Sequence, residues 1–163
     1  MRKILLFAAA LSLMAMPLSA GSQADKAHME AMKAEFGKCM MCKNMVAVMD
    51  ELMPVMDGEV VKLSNGMAMM HTVSDPTKVK LLHDADAKMA AAGEACMKLT
   101  DAEAKEQLCT LCQDIRGLVK AGATMSKGTT KNGDLMVLTS NDPVLQKQIA
   151  GFQAKCEMMT ASH

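Results

Sequence analysis

Two cysteine pairs, Cys39-Met40-Met41-Cys42 and Cys109-Thr110-Leu111-Cys112, hold the most reactive groups in this sequence. Residues three apart on a helix are neighbours, so each pair presents two sulfurs on one side. Such a pair can chelate a soft metal ion, close a short disulfide, or cycle between thiol and disulfide. The pairs are separated by 66 residues, against roughly 15 to 20 in a compact zinc ribbon. Four sulfurs can therefore converge only if the fold brings them together. Four thiolates would suit Zn²⁺, whereas two or three thiolates joined by thioethers would suit Cu(I).

Thioethers are abundant: the chain has 20 Met against three aromatic residues, Phe7, Phe36 and Phe152. Met is flexible enough to fill a core that lacks rings, which explains most of them. The same soft sulfur makes copper, as Cu(I), the leading expectation for a metal, with zinc the alternative. Weaker ligand candidates are Cys96, Cys156 and Met89, which fall on apolar helical stripes. Met67, Met69 and His71 share one face of a strand by simple alternation. Haem attachment is excluded, because Lys43 and Gln113 stand where Cys-x-x-Cys-His needs histidine. A thioredoxin-type couple needs a cysteine at a helix N-terminus, and the pattern predicts Cys109 two turns inside its helix. No Ser/His/Asp pattern, phosphate-cradling glycine loop or His-Glu-x-x-His helix is present, so no enzyme is expected beyond a thiol–disulfide oxidoreductase.

The thiols need a scaffold and a compartment. Arg2 and Lys3, an apolar run from Ile4 to Leu13, and small residues around Ala20 read as a secretory signal over residues 1–20. Cleavage after Ala20, or after Ser22 as second choice, places all six cysteines in a periplasmic or secreted product. Disulfides are then a standing alternative to metal. Losing Arg2 and Lys3 from a balanced 18 cations and 18 acids leaves a mature net charge of −2. That charge, with so few aromatic platforms, excludes nucleic acid as a partner. No later run is long and apolar enough to span a bilayer.

Residues 21–163 are expected to form one domain. Asn65-Gly66 and Asn132-Gly133 each sit between β-compatible runs, the signature of a hairpin. Asp75-Pro76 and Asp142-Pro143 each announce a helix, and Thr100-Asp101-Ala102-Glu103 is a capping box. A continuous helix is expected from Cys39 to Met53, and another from Thr100 to Ala121, ended by Gly122. At an offset of 70 the thiol pairs coincide; at 67 the turns and Asp-Pro starts coincide. The chain therefore reads as a tandem duplication of a helix–β-hairpin–helix unit, about 24–98 and 99–163. The expected architecture is α+β, a four-stranded antiparallel sheet packed against helices about a pseudo-twofold axis. The expected function is an exported soft-metal-binding protein for copper buffering or delivery. A disulfide-stabilised domain that binds another exported protein, and a thiol–disulfide carrier, are the alternatives.

Overall fold

The computed structural model describes residues 23–160; the predicted signal over 1–20 and its cleavage zone lie outside them. Strands β1 (Met56–Leu63), β2 (Gly66–Val73), β3 (Thr124–Thr130) and β4 (Gly133–Thr139) form an antiparallel sheet in the order β1-β2-β4-β3. Each hairpin closes over two residues, Ser64-Asn65 and Lys131-Asn132. The central pairing of β2 with β4 sets Met69 opposite Met136. Val73 N–H donates to Asn132 O at 2.7 Å and Ser140 N–H to Asn65 O at 3.0 Å. Each central strand is thus tied at its end to the turn of the other hairpin.

The Asn-Gly signal located both turns, but for a different physical reason. It implied left-handed backbone, yet among the described residues only Gly122 has a positive φ. Gly66 and Gly133 are required by close approach instead. A Cβ on Gly66 would lie 2.0 Å from Leu138 O, and one on Gly133 would lie 1.8 Å from His71 O.

The described residues contain seven α-helices: α1 (Gln23–Lys38), α2 (Lys43–Val46), α3 (Met49–Leu52), α4 (Val79–Lys98), α5 (Asp101–Gln107), α6 (Thr110–Lys120) and α7 (Pro143–Thr160). Helix α1 continues through Gly37 and then stops. The continuous helix expected from Cys39 to Met53 is absent. Met40 N–H turns away from its own segment and donates to Gln107 O at 3.0 Å, so the helical ladder is interrupted at the first thiol pair. The helix expected from Thr100 is also two helices. Its capping box between Thr100 and Glu103 is present, but Leu108 and Cys109 are extended. Helix α6 ends as expected at Gly122 (φ 107°), where Ala123 N–H reaches back to Leu118 O at 2.9 Å. Asp142 accepts from Val144 N–H at 2.7 Å at the start of α7, and Asp75 accepts likewise from Thr77 N–H at 2.9 Å. Helix α4 begins only at Val79, three residues past Pro76.

Helices α4 and α7 cover one face of the sheet. Ile149, Phe152 and Cys156 of α7 pack on Met67, Met136 and Leu138, and Leu82 of α4 packs with Val73 and Leu52. The architecture is α+β. In the β2–β4 register Met69 and Met136, 67 positions apart, face each other, whereas the segments ahead of the two hairpins differ in their helices.

Gly66→Ala should destabilise by about 3 kcal/mol or more, the upper range for forced overpacking, because the obstruction is backbone. Gly128→Ala in edge strand β3, where a Cβ meets nothing within 4 Å, should stay within about 0.5 kcal/mol. Urea denaturation of both variants checks the contrast.

Candidate metal centre

Breaking both helices at the thiol pairs creates two matching loops. Cys39 O accepts from Lys43 N–H and Cys109 O from Gln113 N–H, each at 3.0 Å. A side-chain amide braces each loop: Asn44 Nδ2 donates to Met41 O at 3.2 Å and Gln113 Nε2 to Leu108 O at 2.8 Å. The Met40–Gln107 bond then joins the first loop to the approach of the second.

The four sulfurs meet between the loops. The Sγ atoms of Cys39, Cys42, Cys109 and Cys112 all lie within 4.8 Å of one another, and all four residues are buried. Cys42 Sγ is 3.3 Å from Cys112 Sγ and 3.7 Å from Cys109 Sγ. Metal–sulfur bonds near 2.3 Å imply a tetrahedron with edges of about 3.8 Å, so the observed spacing fits one four-coordinate ion.

Charge is divided the same way in both loops. Hydrogen bonds from Cys109, Cys112 and Cys42 hold the Cys39 thiol far below its ordinary range. Cys109 is lowered chiefly by Cys112. Cys42 is raised chiefly by Cys109, and Cys112 by Cys109 and Cys39. The first sulfur of each pair also receives the backbone N–H of the second residue, Cys42 or Cys112. A cleft of about 420 Å³ between the end of α1 and the α5–α6 junction is lined by Cys39 and Cys109, and by neither Cys42 nor Cys112.

Cys109 is the N-cap of α6, not a residue two turns inside it. The reason is the extended backbone at Leu108 and Cys109, which a capping box eight residues upstream does not reveal. The second thiol pair therefore lies where a helix dipole favours thiolate.

Beneath the thiols, Arg116 was not singled out from sequence. Its side chain is 7% exposed. Nε donates to Cys96 O at 3.0 Å, Nη1 to Asp101 Oδ1 at 2.8 Å, and Nη2 to Leu99 O. One guanidinium thus satisfies carbonyls at the end of α4 and anchors the start of α5. With Lys120 it holds the Asp101 carboxyl down at about 2. An arginine on the inner stripe of α6, four residues after Cys112, was the available signal.

The weaker candidates are dispersed. Cys96 packs in the same buried group as the four thiols but is outside the set whose ligand atoms all lie within 4.8 Å. Cys156 is the one cysteine in the sheet–α7 core, where burial pushes its thiol up to about 11. Met67 and Met69 pack in that core too, and Met89 is half-buried on α4. His71 Nδ1 lies 3.1 Å from Asp134 Oδ1. No protein-family model, curated protein or solved structure matches the chain.

His71 belongs to a buried ionic group that anchors α4 to the sheet. Desolvation opposes its charge, but the hydrogen bond and charge of Asp134 and the charge of Asp86 outweigh this and raise it. Burial pushes Asp134 up, while His71 more than compensates and holds it down. Desolvation, then the bond to Asp134, pushes Asp86 up to about 7. Asp86 Oδ2 and Asp134 Oδ2 are buried without a hydrogen-bond partner among the described residues, and a proton on Asp86 supplies the missing donor. The folded chain thus holds this proton more tightly than the unfolded chain, whose carboxyl titrates near 3.8. The stabilisation is complete below that value and is lost as pH rises to about 7. Asp86→Asn keeps a neutral donor and should flatten the decline in Tm between about pH 4 and pH 7, measured by calorimetry across that range.

Proposed function

We propose that this is an exported protein that holds one soft metal ion between two thiol loops and buffers or delivers it. The observation carrying this reading is the convergence of Cys39, Cys42, Cys109 and Cys112 within 4.8 Å. The donor set itself favours Zn²⁺, for which four thiolates form a closed tetrahedral site. Cu(I) is supported by the thioethers of Met40 and Met41, which pack against the same thiols, and by its preference for soft sulfur ligands. Delivery, rather than purely structural binding, is supported by a cleft whose lining includes Cys39 and Cys109.

Reduced protein incubated separately with Zn²⁺ and Cu(I) should retain one ion per chain in native mass spectrometry, and Cys42→Ser with Cys112→Ser should abolish retention. Because the ion binds the folded state, a free-ion concentration of 100 times Kd should add about 2.7 kcal/mol of stability. Reduced wild-type protein that keeps neither ion would overturn the reading.

The N-cap position of Cys109 favours a second reading, a thiol–disulfide carrier. All four thiols face each other in the interior, which hinders attack by a partner thiolate. A carrier requires a pair whose reduction potential lies well above about −300 mV, the range of structural bridges. In equilibration of the metal-free protein with glutathione, a potential near −200 mV would favour the carrier and one below about −300 mV would reject it.

A further inference from the structure

All six cysteines are free and buried. Cys42 Sγ lies 3.3 Å from Cys112 Sγ and 3.7 Å from Cys109 Sγ, both across the two loops. A disulfide bond is about 2.05 Å long, so closing Cys42 onto Cys112 needs a shift of about 1.3 Å. The fold holds the loops at this distance. Met40 N–H donates to Gln107 O, and Ala104, Leu108 and Leu111 pack with the same sulfurs. In an unfolded chain the entropic cost of closure rises with the separation of the partners, so sulfurs three positions apart would pair first. Pairing across 70 positions is therefore a property of the folded site. Access from outside is uneven. The cleft of about 420 Å³ is lined by Cys39 and Cys109, and by neither Cys42 nor Cys112. A cleft of this size admits a small-molecule disulfide.

We propose that the thiol loops are also a redox switch, in which a low-molecular-weight disulfide closes Cys42 onto Cys112 and frees the bound ion. This rests on the metal-holding reading above. The Cys109 sulfur, at the cleft, attacks the incoming disulfide: its S–S bond breaks, a mixed disulfide forms and one small thiolate leaves. The Cys42 sulfur, 3.7 Å away, attacks the Cys109 sulfur and expels the second small thiolate. The Cys112 sulfur, 3.3 Å from that of Cys42, then displaces Cys109, which returns to thiolate. In sum, two cysteine sulfurs lose two electrons, and two small thiolates carry them away. Cys39 and Cys109 are left as the remaining thiolates, and both line the cleft. A closed four-thiolate site thus becomes a two-thiolate site open to an acceptor.

The test uses the reduced full chain loaded with Zn²⁺, or with Cu(I) if that is the ion it keeps. Excess glutathione disulfide is added beside a chromophoric chelator of the ion, and the product is alkylated and digested with trypsin without reduction. Each chain should give up its ion and produce two glutathione thiols. Cleavage after Lys38, Lys43, Lys105 and Arg116 separates the two loops. A cross-loop bridge therefore leaves residues 39–43 and 106–116 joined, and fragmentation should place it at Cys42 and Cys112. An ion held throughout the treatment would overturn the inference and leave the metal-holding reading standing. So would an ion released with any other pair bridged, whether within one loop or to Cys96. A reduced chain that keeps neither ion before the oxidant is added would overturn that reading, and this inference with it.

Discussion

The pairing of β2 with β4 is the constraint on which the rest depends. It joins two hairpins that would each be marginal as an isolated two-stranded sheet. Its register is enforced from both ends, by the Val73–Asn132 and Ser140–Asn65 bonds and by two glycines that admit the neighbouring carbonyl. A slip of one residue would put Met67 on the same face as Val137 instead of Leu138, so one of the two central strands would lose its match to α7. The symmetry of this register about Met69 and Met136 is what supports the duplication we propose for the two halves.

Helix α4 carries that order to the thiols. Near its start it is held on the sheet by Leu82 against Val73 and by the Asp86–Asp134–His71 group. At its far end Arg116 grips Cys96 O and Leu99 O, so α4 spans from the sheet to the floor of the thiol cluster. The two regions use charge differently. At the sheet a shared proton resolves two crowded carboxylates, whereas at the thiol end a guanidinium with a fixed charge completes a helix terminus.

The hairpins, the sheet, the Asp142-Pro143 start and the capping box were legible because each rests on local backbone chemistry, whereas the helix expected from Asp75-Pro76 starts only at Val79. The thiol pairs were legible as chemistry, but their convergence was not, since it depends on Met40 bonding to Gln107 across 67 positions. Periodicity misled at that same place. Met49 and Leu52 are buried, yet no single helix runs from Cys39 to carry them, because Met40 N–H bonds to Gln107 O instead. The Met-x-Met-x-His strand was read as a possible copper face. Alternation placed the three side chains on one side correctly, but α7 covers the methionines and Asp134 engages the histidine. Arg116 was passed over because a single cation on an apolar stripe carries no motif.

Four sulfurs drawn this close are a poor way to fill a core. Aliphatic side chains would occupy the same volume without crowding groups whose protons compete, as the opposed shifts of Cys39 and Cys112 express. The surrounding Ala104, Leu108 and Leu111 already supply apolar packing, so the thiols are not needed for it. Matching carbonyl–amide turns at Cys39 and Cys109 add a second constraint: both loops are shaped to present a sulfur inward, with a backbone N–H supporting its negative charge. A disulfide requires one partner for each sulfur and no such symmetry between loops. Four inward sulfurs within 4.8 Å of one another could hold a tetrahedral cation, whose sulfur ligands stand about 3.8 Å apart.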